Sequence, residues 1–250
     1  ARSVIENVDV VFHLAALPFI PDSYYHPEQF FRVNVMGSAN VAWEAIRYRS
    51  LERIVYVSSS EVYGSAMYVP MDEAHPTFPH STYAVSKLAA DRLMFTLHKE
   101  QGLPATIVRP FNSYGPNITQ PYIIPEIILQ CLARKDAVTL GNVEASRDFT
   151  YVSDVARGII LASIDKQAVG EVFNLGTGSE IKIRDLVQTV ANIVGLSVRI
   201  KSDPTRLRPY DVDRLVCDSR KAERLLGWKP QFSLVDGLKA TIAWVRSNPM

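Results

Sequence analysis

The sequence predicts a doubly wound α/β fold, a parallel sheet with helices on both faces, carrying a smaller interleaved α/β cap. Three observations lead there. Short β-branched runs alternate with long amphipathic segments through the first half. Those runs are apolar and brief, as strands covered on both faces should be. After about Pro110 the texture changes, with prolines crowding together and later elements becoming shorter and more polar. The chain has 250 residues, 47% of them hydrophobic and 21% charged, which provides for a substantial core and excludes a disordered or collagen-like polymer. A formal net charge of +1 offers no surplus for general nucleic-acid binding.

Taken in order, Val10-Val11-Phe12, Ile54-Val55-Tyr56-Val57 and Thr106-Ile107-Val108 read as buried strands. Between them, 28–48 and 82–100 read as long amphipathic helices; the second starts after Ser81, a good N-cap, and stops before Gly102, a good C-cap. That rhythm implies right-handed crossovers and a parallel sheet. Val172-Phe173-Asn174-Leu175, followed by Gly176-Thr177-Gly178, reads as one more strand of it. Beyond Pro110, Pro116, Pro121 and Pro125, helices are predicted over 125–135, 154–163, 185–194 and 235–246, with short strands at 137–140 and 197–201. No repeat or linker divides the chain. Residues 1–110 are therefore expected to form the sheet domain, with 142–178 returning to it, and 111–141 and 179–250 mainly the cap.

Other classes fall away quickly. Apolar stretches such as Val8–Leu17 are interrupted by Asp9 and His13 and are too short to span a bilayer, so no membrane association is expected. The opening residues, with Arg2, Glu6 and Asp9, show no secretory leader. Cys131 and Cys217 are too few for a disulfide framework or a metal cluster. They are expected to be buried thiols in a cytoplasmic protein.

Tyr83 and Lys87 stand four apart on a predicted helix and share a face. An ammonium beside a phenol favours phenolate, lowering a value otherwise near 10, so the pair can act as a general base for a hydroxyl proton. Their helix follows the strand 54–57 and its hydroxyl-rich end, Ser58-Ser59-Ser60-Glu61. Ligands of doubly wound sheets bind at such carboxyl ends, so these groups are expected to face one crevice.

The sequence here resembles the extended short-chain dehydrogenase/reductases that act on nucleotide sugars, essentially from Asp9 to Trp244. The resemblance rests on His13-Leu14-Ala15-Ala16, Asn34-x-x-Gly37, Ser58-Ser59-Ser60-Glu61-Val62-Tyr63-Gly64, Tyr83-x-x-x-Lys87, Arg109-Pro110-Phe111-Asn112-Ser113-Tyr114-Gly115-Pro116, Arg147-Asp148-Phe149-x-Tyr151-Val152-x-Asp154 and Leu226-Gly227-Trp228-x-Pro230. It implies a Rossmann-type sheet, bound NAD and a nucleotide-diphosphate sugar substrate. Within the family, Ser58–Glu73 and the 206–218 region look most like 4,6-dehydratases of the legionaminic acid pathway, which act on N-acetylglucosamine nucleotides. The family's amino-terminal Gly-rich turn has no counterpart here; two more strand–helix units, roughly 60 residues at about 30 per unit, would complete the first half. The chain is thus expected to be a fragment, or else a sheet open at that edge.

The resemblance also assigns roles. Tyr83 and Lys87 match the base at the sugar C4 hydroxyl, Ser59 a hydrogen bond to the C4 oxygen, and Glu61 the base that removes the C5 proton. Epimerases need no carboxylate at the Glu61 position. Ser60 stands where dTDP-glucose dehydratases carry an acidic Asp, as it does in GDP-mannose dehydratases and UDP-glucuronate decarboxylases. Leu14, Ala15, Ala16, Val57 and Pro110 match cofactor-bordering strand ends, together with Tyr83 and Lys87. Asn112, Arg147 and Arg208 match contacts to the substrate diphosphate and nucleotide, where arginine suits bidentate phosphate recognition. His13, Asn34, Trp228 and Trp244 are expected to be structural. A 4,6-dehydratase is the leading expectation, with a 4-epimerase, a UDP-glucuronate decarboxylase and a non-catalytic Rossmann-fold binding protein as rivals. The helices at 28–48 and 82–100 carry apolar residues beyond one face (Phe30, Phe31, Val41, Trp43; Leu88, Leu93, Met94, Leu97). In the family these helices pair with their twins, so a homodimer is expected.

Overall fold

The computed structural model describes residues 5, 8–48, 51–118, 120–133 and 136–248. Strand β1 (Val10–His13) leads into helices α1 (Ile20–Tyr25) and α2 (Pro27–Phe30), a π-helical stretch (Phe31–Met36) and α3 (Gly37–Arg47), which returns the chain to β2 (Arg53–Val57). The predicted helix at 28–48 is thus one rod whose middle is wound more loosely. A 3-10 turn (Ser60–Tyr63) and a long loop precede α4 (Thr82–Gln101) and β3 (Ala105–Pro110). The ends of α4 are set as predicted: the Ala84 N–H donates to Ser81 Oγ at 3.1 Å, and Gly102 takes the left-handed conformation at φ 71°.

The second half runs β4 (Ser113–Tyr114), α5 (Ile123–Leu132), β5 (Ala137–Leu140), β6 (Ser146–Asp148), β7 (Thr150–Tyr151), α6 (Val152–Ile164) and β8 (Val172–Leu175). It continues through β9 (Glu180–Lys182), α7 (Ile183–Val194), β10 (Arg199–Ser202), β11 (Arg214–Leu215), α8 (Arg220–Leu226) and α9 (Leu234–Ser247). The helix expected over 125–135 begins earlier, and its last two positions lie outside the described residues, as do Arg2 and Glu6.

The main sheet has the order β1-β2-β3-β8 with every pair parallel, as predicted. Strands β2, β3 and β8 are covered on both faces, which is why their centres read as apolar runs, whereas Phe12 of β1 is exposed. Ile54, Tyr56 and Ile107 pack against Ala42 and Ala45 of α3 and Ala90, Met94 and Leu97 of α4. Val55, Val108 and Phe173 pack the other way, against Val155 and Ile159 of α6 and the fully buried Trp228. The Trp228 indole N–H donates to the Asp154 carbonyl at 2.8 Å, so a structural tryptophan is what the fold contains.

A separate core lies over the carboxyl edge of the sheet. Ile124, Ile127, Ile128, Val138, Leu140, Leu186, Val190, Leu238 and Ile242 form its centre, with Trp244 packed partly buried against it. Of the segment 142–178, α6 and β8 join the main sheet, whereas β6 pairs with β9 and β11. Both thiols are buried. Among the described residues no helix is long and apolar enough to cross a membrane, and no group of metal-ligating side chains is assembled.

One expectation about the helices needs correction. Phe30, Met94 and Leu97 are buried within this chain's own core and offer nothing to a second surface. Phe31 and Trp43 do remain exposed, and the structure adds Met36 and Val85.

His13 ends β1 as a structural residue. Its Nε2 lies 2.8 Å from Ser38 Oγ, and the Ser38 hydroxyl donates onward to the Asn34 carbonyl at 2.6 Å. Nε2 therefore carries the hydrogen of a neutral ring. Burial, reinforced by the Lys87 ammonium, pushes its pKa down to about 4. The unfolded chain takes up the proton first as the pH falls, so this group costs stability from the ordinary histidine value of about 6.5 down toward its folded value. Urea unfolding at about pH 7 and about pH 5 should show a smaller loss of stability in His13→Gln than in the parent; equal losses would contradict the assignment.

Candidate active site

The carboxyl ends of β1, β2 and β3 open into a cleft of about 680 Å³ roofed by the cap. From the sheet side it is lined by Leu14, Ala16, Val57, Ser59, Ser60, Glu61, Tyr83, Lys87 and Pro110, and from beyond β3 by Asn112, Arg147 and Arg208. Sequence-predicted residues from six separate stretches thus share one cavity. Ala15 is exposed next to them and does not line it.

Two elements carry the groups able to move protons. On α4, Lys87 is buried, and its Nζ donates to the Val57 carbonyl at 2.6 Å while lying 4.5 Å from the centre of the Tyr56 ring. Burial holds its pKa down to about 8, against the opposing pull of Asp91. Tyr83 stands one turn earlier, edge-on to Phe30 with ring centres 6.4 Å apart. The expectation that Lys87 lowers the Tyr83 phenol is corrected here. Enclosure by protein pushes that phenol well above its ordinary value, opposed by the Ser59 hydroxyl and reinforced by Glu61. Desolvation is the largest cause of the shift.

The second element is the 3-10 turn after β2. Ser59 is extended, and its Oγ accepts the Glu61 N–H at 3.2 Å, capping the turn. Ser59, Ser60 and Glu61 are all buried. The turn closes at Gly64, whose φ of 70° suits glycine, and a Cβ there would stand 2.0 Å from the Phe78 carbonyl oxygen. Glu61 lines the same cleft as the Tyr83–Lys87 pair and Arg147.

At that cationic end, Arg147 and Arg208 approach the same carboxylate oxygen of Asp211, at 3.5 and 3.4 Å. The other Asp211 oxygen accepts from Asn142 Nδ2 at 3.2 Å, and its backbone carbonyl lies 3.0 Å from His80 Nδ1. The His80 ring stacks on Tyr210 at 3.8 Å, fastening this loop to the segment before α4. Sequence reasoning missed Asp211 and His80; the three-residue spacing from Arg208 to Asp211 was the available signal. At the cleft wall, the buried Asn112 Oδ1 and Ser58 Oγ have no hydrogen-bond partner among the described residues. Acceptors and donors left over at a cavity wall are what a polar ligand answers.

Asn34 has the supporting part expected of it. Its Oδ1 accepts the Leu17 N–H at 2.7 Å, while Nδ2 donates to the Leu17 carbonyl at 3.1 Å and to Ser86 Oγ at 2.9 Å. The looser winding of the rod around Phe31–Met36 surrounds this residue, which bolts the loop after β1 onto α4.

Comparison with known proteins agrees with this architecture. A family model described as GDP-mannose 4,6 dehydratase matches residues 2–241. The GDP-6-deoxy-D-mannose reductase of Pseudomonas aeruginosa is 30% identical over 95% of this chain and 80% of its own length. The dTDP-D-glucose 4,6-dehydratase of Mus musculus is 31% identical over 98% of this chain and 69% of its own. The solved UDP-glucuronic acid 4-epimerase of Bacillus cereus, in complex with UDP-glucuronic acid and NAD, superposes with a TM-score of 0.89 at 30% identity, covering 98% of this chain and 78% of that one. Dehydratases, epimerases and reductases thus all stand at similar distance, and the chain belongs to the GDP-mannose 4,6 dehydratase family of nucleotide-sugar dehydratases and epimerases within the extended short-chain dehydrogenase/reductases.

Proposed function

We propose that the chain is an NAD-dependent nucleotide-sugar 4,6-dehydratase. The observation that carries this reading is Glu61: a buried carboxylate in the wall of the cleft that also holds Tyr83, Lys87 and Ser59. Inverting a C4 centre calls for no such group, whereas eliminating water across C5 and C6 calls for a base at C5.

The residues present suit a dinucleotide at the strand ends. Leu14 and Ala16 wall the cleft, Ala16 with little bulk, and Ser58 Oγ is left without a partner. Lys87 spends one hydrogen on Val57 and has two more to offer. These groups, with Val57 and Pro110, would hold the nicotinamide end. NAD, when bound, supplies a hydride acceptor at C4 and a hydride donor for C6.

The chain's own groups do the rest. Tyr83 acts as the phenolate, favoured by the Lys87 ammonium once a ligand excludes water around it, and becomes the phenol as it takes the C4 hydroxyl proton. Ser59 donates a hydrogen bond to the C4 oxygen. The ketone formed there acidifies the C5 proton, Glu61 removes it, and the same carboxyl returns the proton to the departing C6 hydroxyl, a duty that Ser60 cannot perform as an acid. C5 then takes a proton of solvent origin as C6 receives its hydride. Asn112, Arg147 and Arg208 hold the diphosphate and nucleotide, the two guanidiniums already drawn together by Asp211. The substrate class is a nucleotide-diphosphate sugar, and the Ser58–Glu73 and 206–218 segments favour an N-acetylglucosamine nucleotide.

Tyr83→Phe keeps the ring contact with Phe30 and removes the base, so turnover should fall roughly 10²–10⁴-fold with the fold retained by circular dichroism; near-normal turnover contradicts the assignment. Glu61→Gln separates the two halves of the reaction. The variant should still form NADH with substrate, read as absorbance, yet release almost no 6-deoxy product and exchange no C5 proton with deuterated solvent. Normal product formation would make Glu61 a bystander, and retained C4 inversion would identify an epimerase.

We further propose a homodimer through the exposed face of the helices around α3 and α4, where Phe31, Met36, Trp43 and Val85 stand in solvent. Trp43→Glu should raise the dimer dissociation constant at least about tenfold, which corresponds to about 1.4 kcal/mol, in sedimentation experiments. A parent chain that sediments only as monomer at micromolar concentration would contradict the proposal.

A further inference from the structure

Tyr83, Lys87 and Asp91 stand at four-residue intervals and form one stripe along α4. The first two face the cleft; Asp91 is fully buried beneath it. Arg109 of β3 donates to Asp91 through two parallel hydrogen bonds, Nε to Oδ2 at 2.8 Å and Nη2 to Oδ1 at 3.0 Å. The third arm of the same guanidinium, Nη1, donates to Tyr63 Oη at 2.9 Å. The Tyr63 hydroxyl donates on to Asn174 Oδ1 at 2.8 Å, and Asn174 Nδ2 donates to the Met71 carbonyl at 3.0 Å. Tyr63 closes the 3-10 turn that carries Glu61. The helix bearing one proton-moving group and the turn bearing the other are therefore fastened to a single planar cation.

We propose that Arg109, acting through Asp91 and Tyr63, is a positioning residue that keeps the Glu61 carboxylate in register with the Tyr83–Lys87 pair. It lines no part of the cleft and works only through the two elements it joins. The geometry of the guanidinium makes this possible: a lysine there offers a point charge, whereas arginine fixes the angle between its two partners. Every member of the chain of hydrogen bonds is satisfied and shielded from water, and such a network admits one arrangement. The catalytic consequence rests on the dehydratase reading above; the anchoring of the turn does not.

Tyr63→Phe isolates the link, because it keeps the ring against Phe111 and His75 and removes the hydroxyl between Arg109 and the turn. The amides of Val62 and Gly64, which bond to the Ser59 and Glu61 carbonyls, should exchange with deuterium at least about tenfold faster, with the amides of α4 unchanged. With substrate, C5 deuterium incorporation per NADH formed should fall about tenfold to a hundredfold, with KM altered by less than about twofold. Asp91→Asn should move that ratio the same way; if it fails to fold, Tyr63→Phe alone decides. Faster exchange throughout the molecule with an unchanged ratio would show a structural role only and overturn the proposal. If the parent chain itself forms no 4-keto-6-deoxy product, the dehydratase reading fails, while amide exchange in Tyr63→Phe still decides whether the turn is anchored as proposed.

Discussion

An ammonium taken out of water needs an acceptor, and Lys87 meets that need with the Val57 carbonyl at the very end of β2. That bond sets the rotation of α4 against the sheet, because the helix cannot turn without stranding a buried charge. Everything else at the site follows from the angle it fixes. Tyr83, one turn earlier, is brought over the carboxyl edge, and Asp91, one turn later, is brought under β3 to meet Arg109. The aromatic face of Tyr56 fills the remaining side of the ammonium, and His13 stays neutral close by. A cation at this point is affordable only because its neighbours are arranged around it.

The cap contributes a different kind of order. Its core of aliphatic side chains has no part in the chemistry, but it holds β6 and the 206–213 loop so that two guanidiniums converge on Asp211. Arg147 lies among protein atoms, and burial holds its pKa below the usual arginine value. Two guanidiniums share the Asp211 carboxylate there, and Glu61 and Asp213 also act on Arg147. On the reading proposed above, a diphosphate binds these guanidiniums, and its attached sugar is thereby directed toward Glu61 and Tyr83.

Much of this was legible in the sequence because the signals were local. Runs such as Ile54–Val57 announce strands buried on both faces, and Ser81 with Gly102 marks both ends of α4. The spacing of Tyr83 and Lys87 places both on one helix face by geometry alone. Other features were invisible for equally physical reasons. The loose winding at Phe31–Met36 has no periodicity of its own, and the bonds of Asn34 within it, to Leu17 and Ser86, reach residues far along the chain. The raised Tyr83 phenol depends on how much protein surrounds the ring, a quantity that spacing does not carry. Phe30, Met94 and Leu97 were read as surplus hydrophobic surface because a sequence does not show which helix will cover them. Arg109 and Asn174 act through partners far away along the chain, so no local pattern reports them.

The central claim is that the cleft eliminates water from its sugar rather than inverting or reducing it. Mass spectrometry of the product formed by the parent protein in deuterated water tests it most directly, with NAD and a panel of nucleotide-diphosphate sugars that includes N-acetylglucosamine nucleotides. The account predicts a product lighter than its substrate by one water, apart from a deuterium gained at C5. A product of unchanged mass with C4 inverted, or one that has lost carbon dioxide, would contradict it.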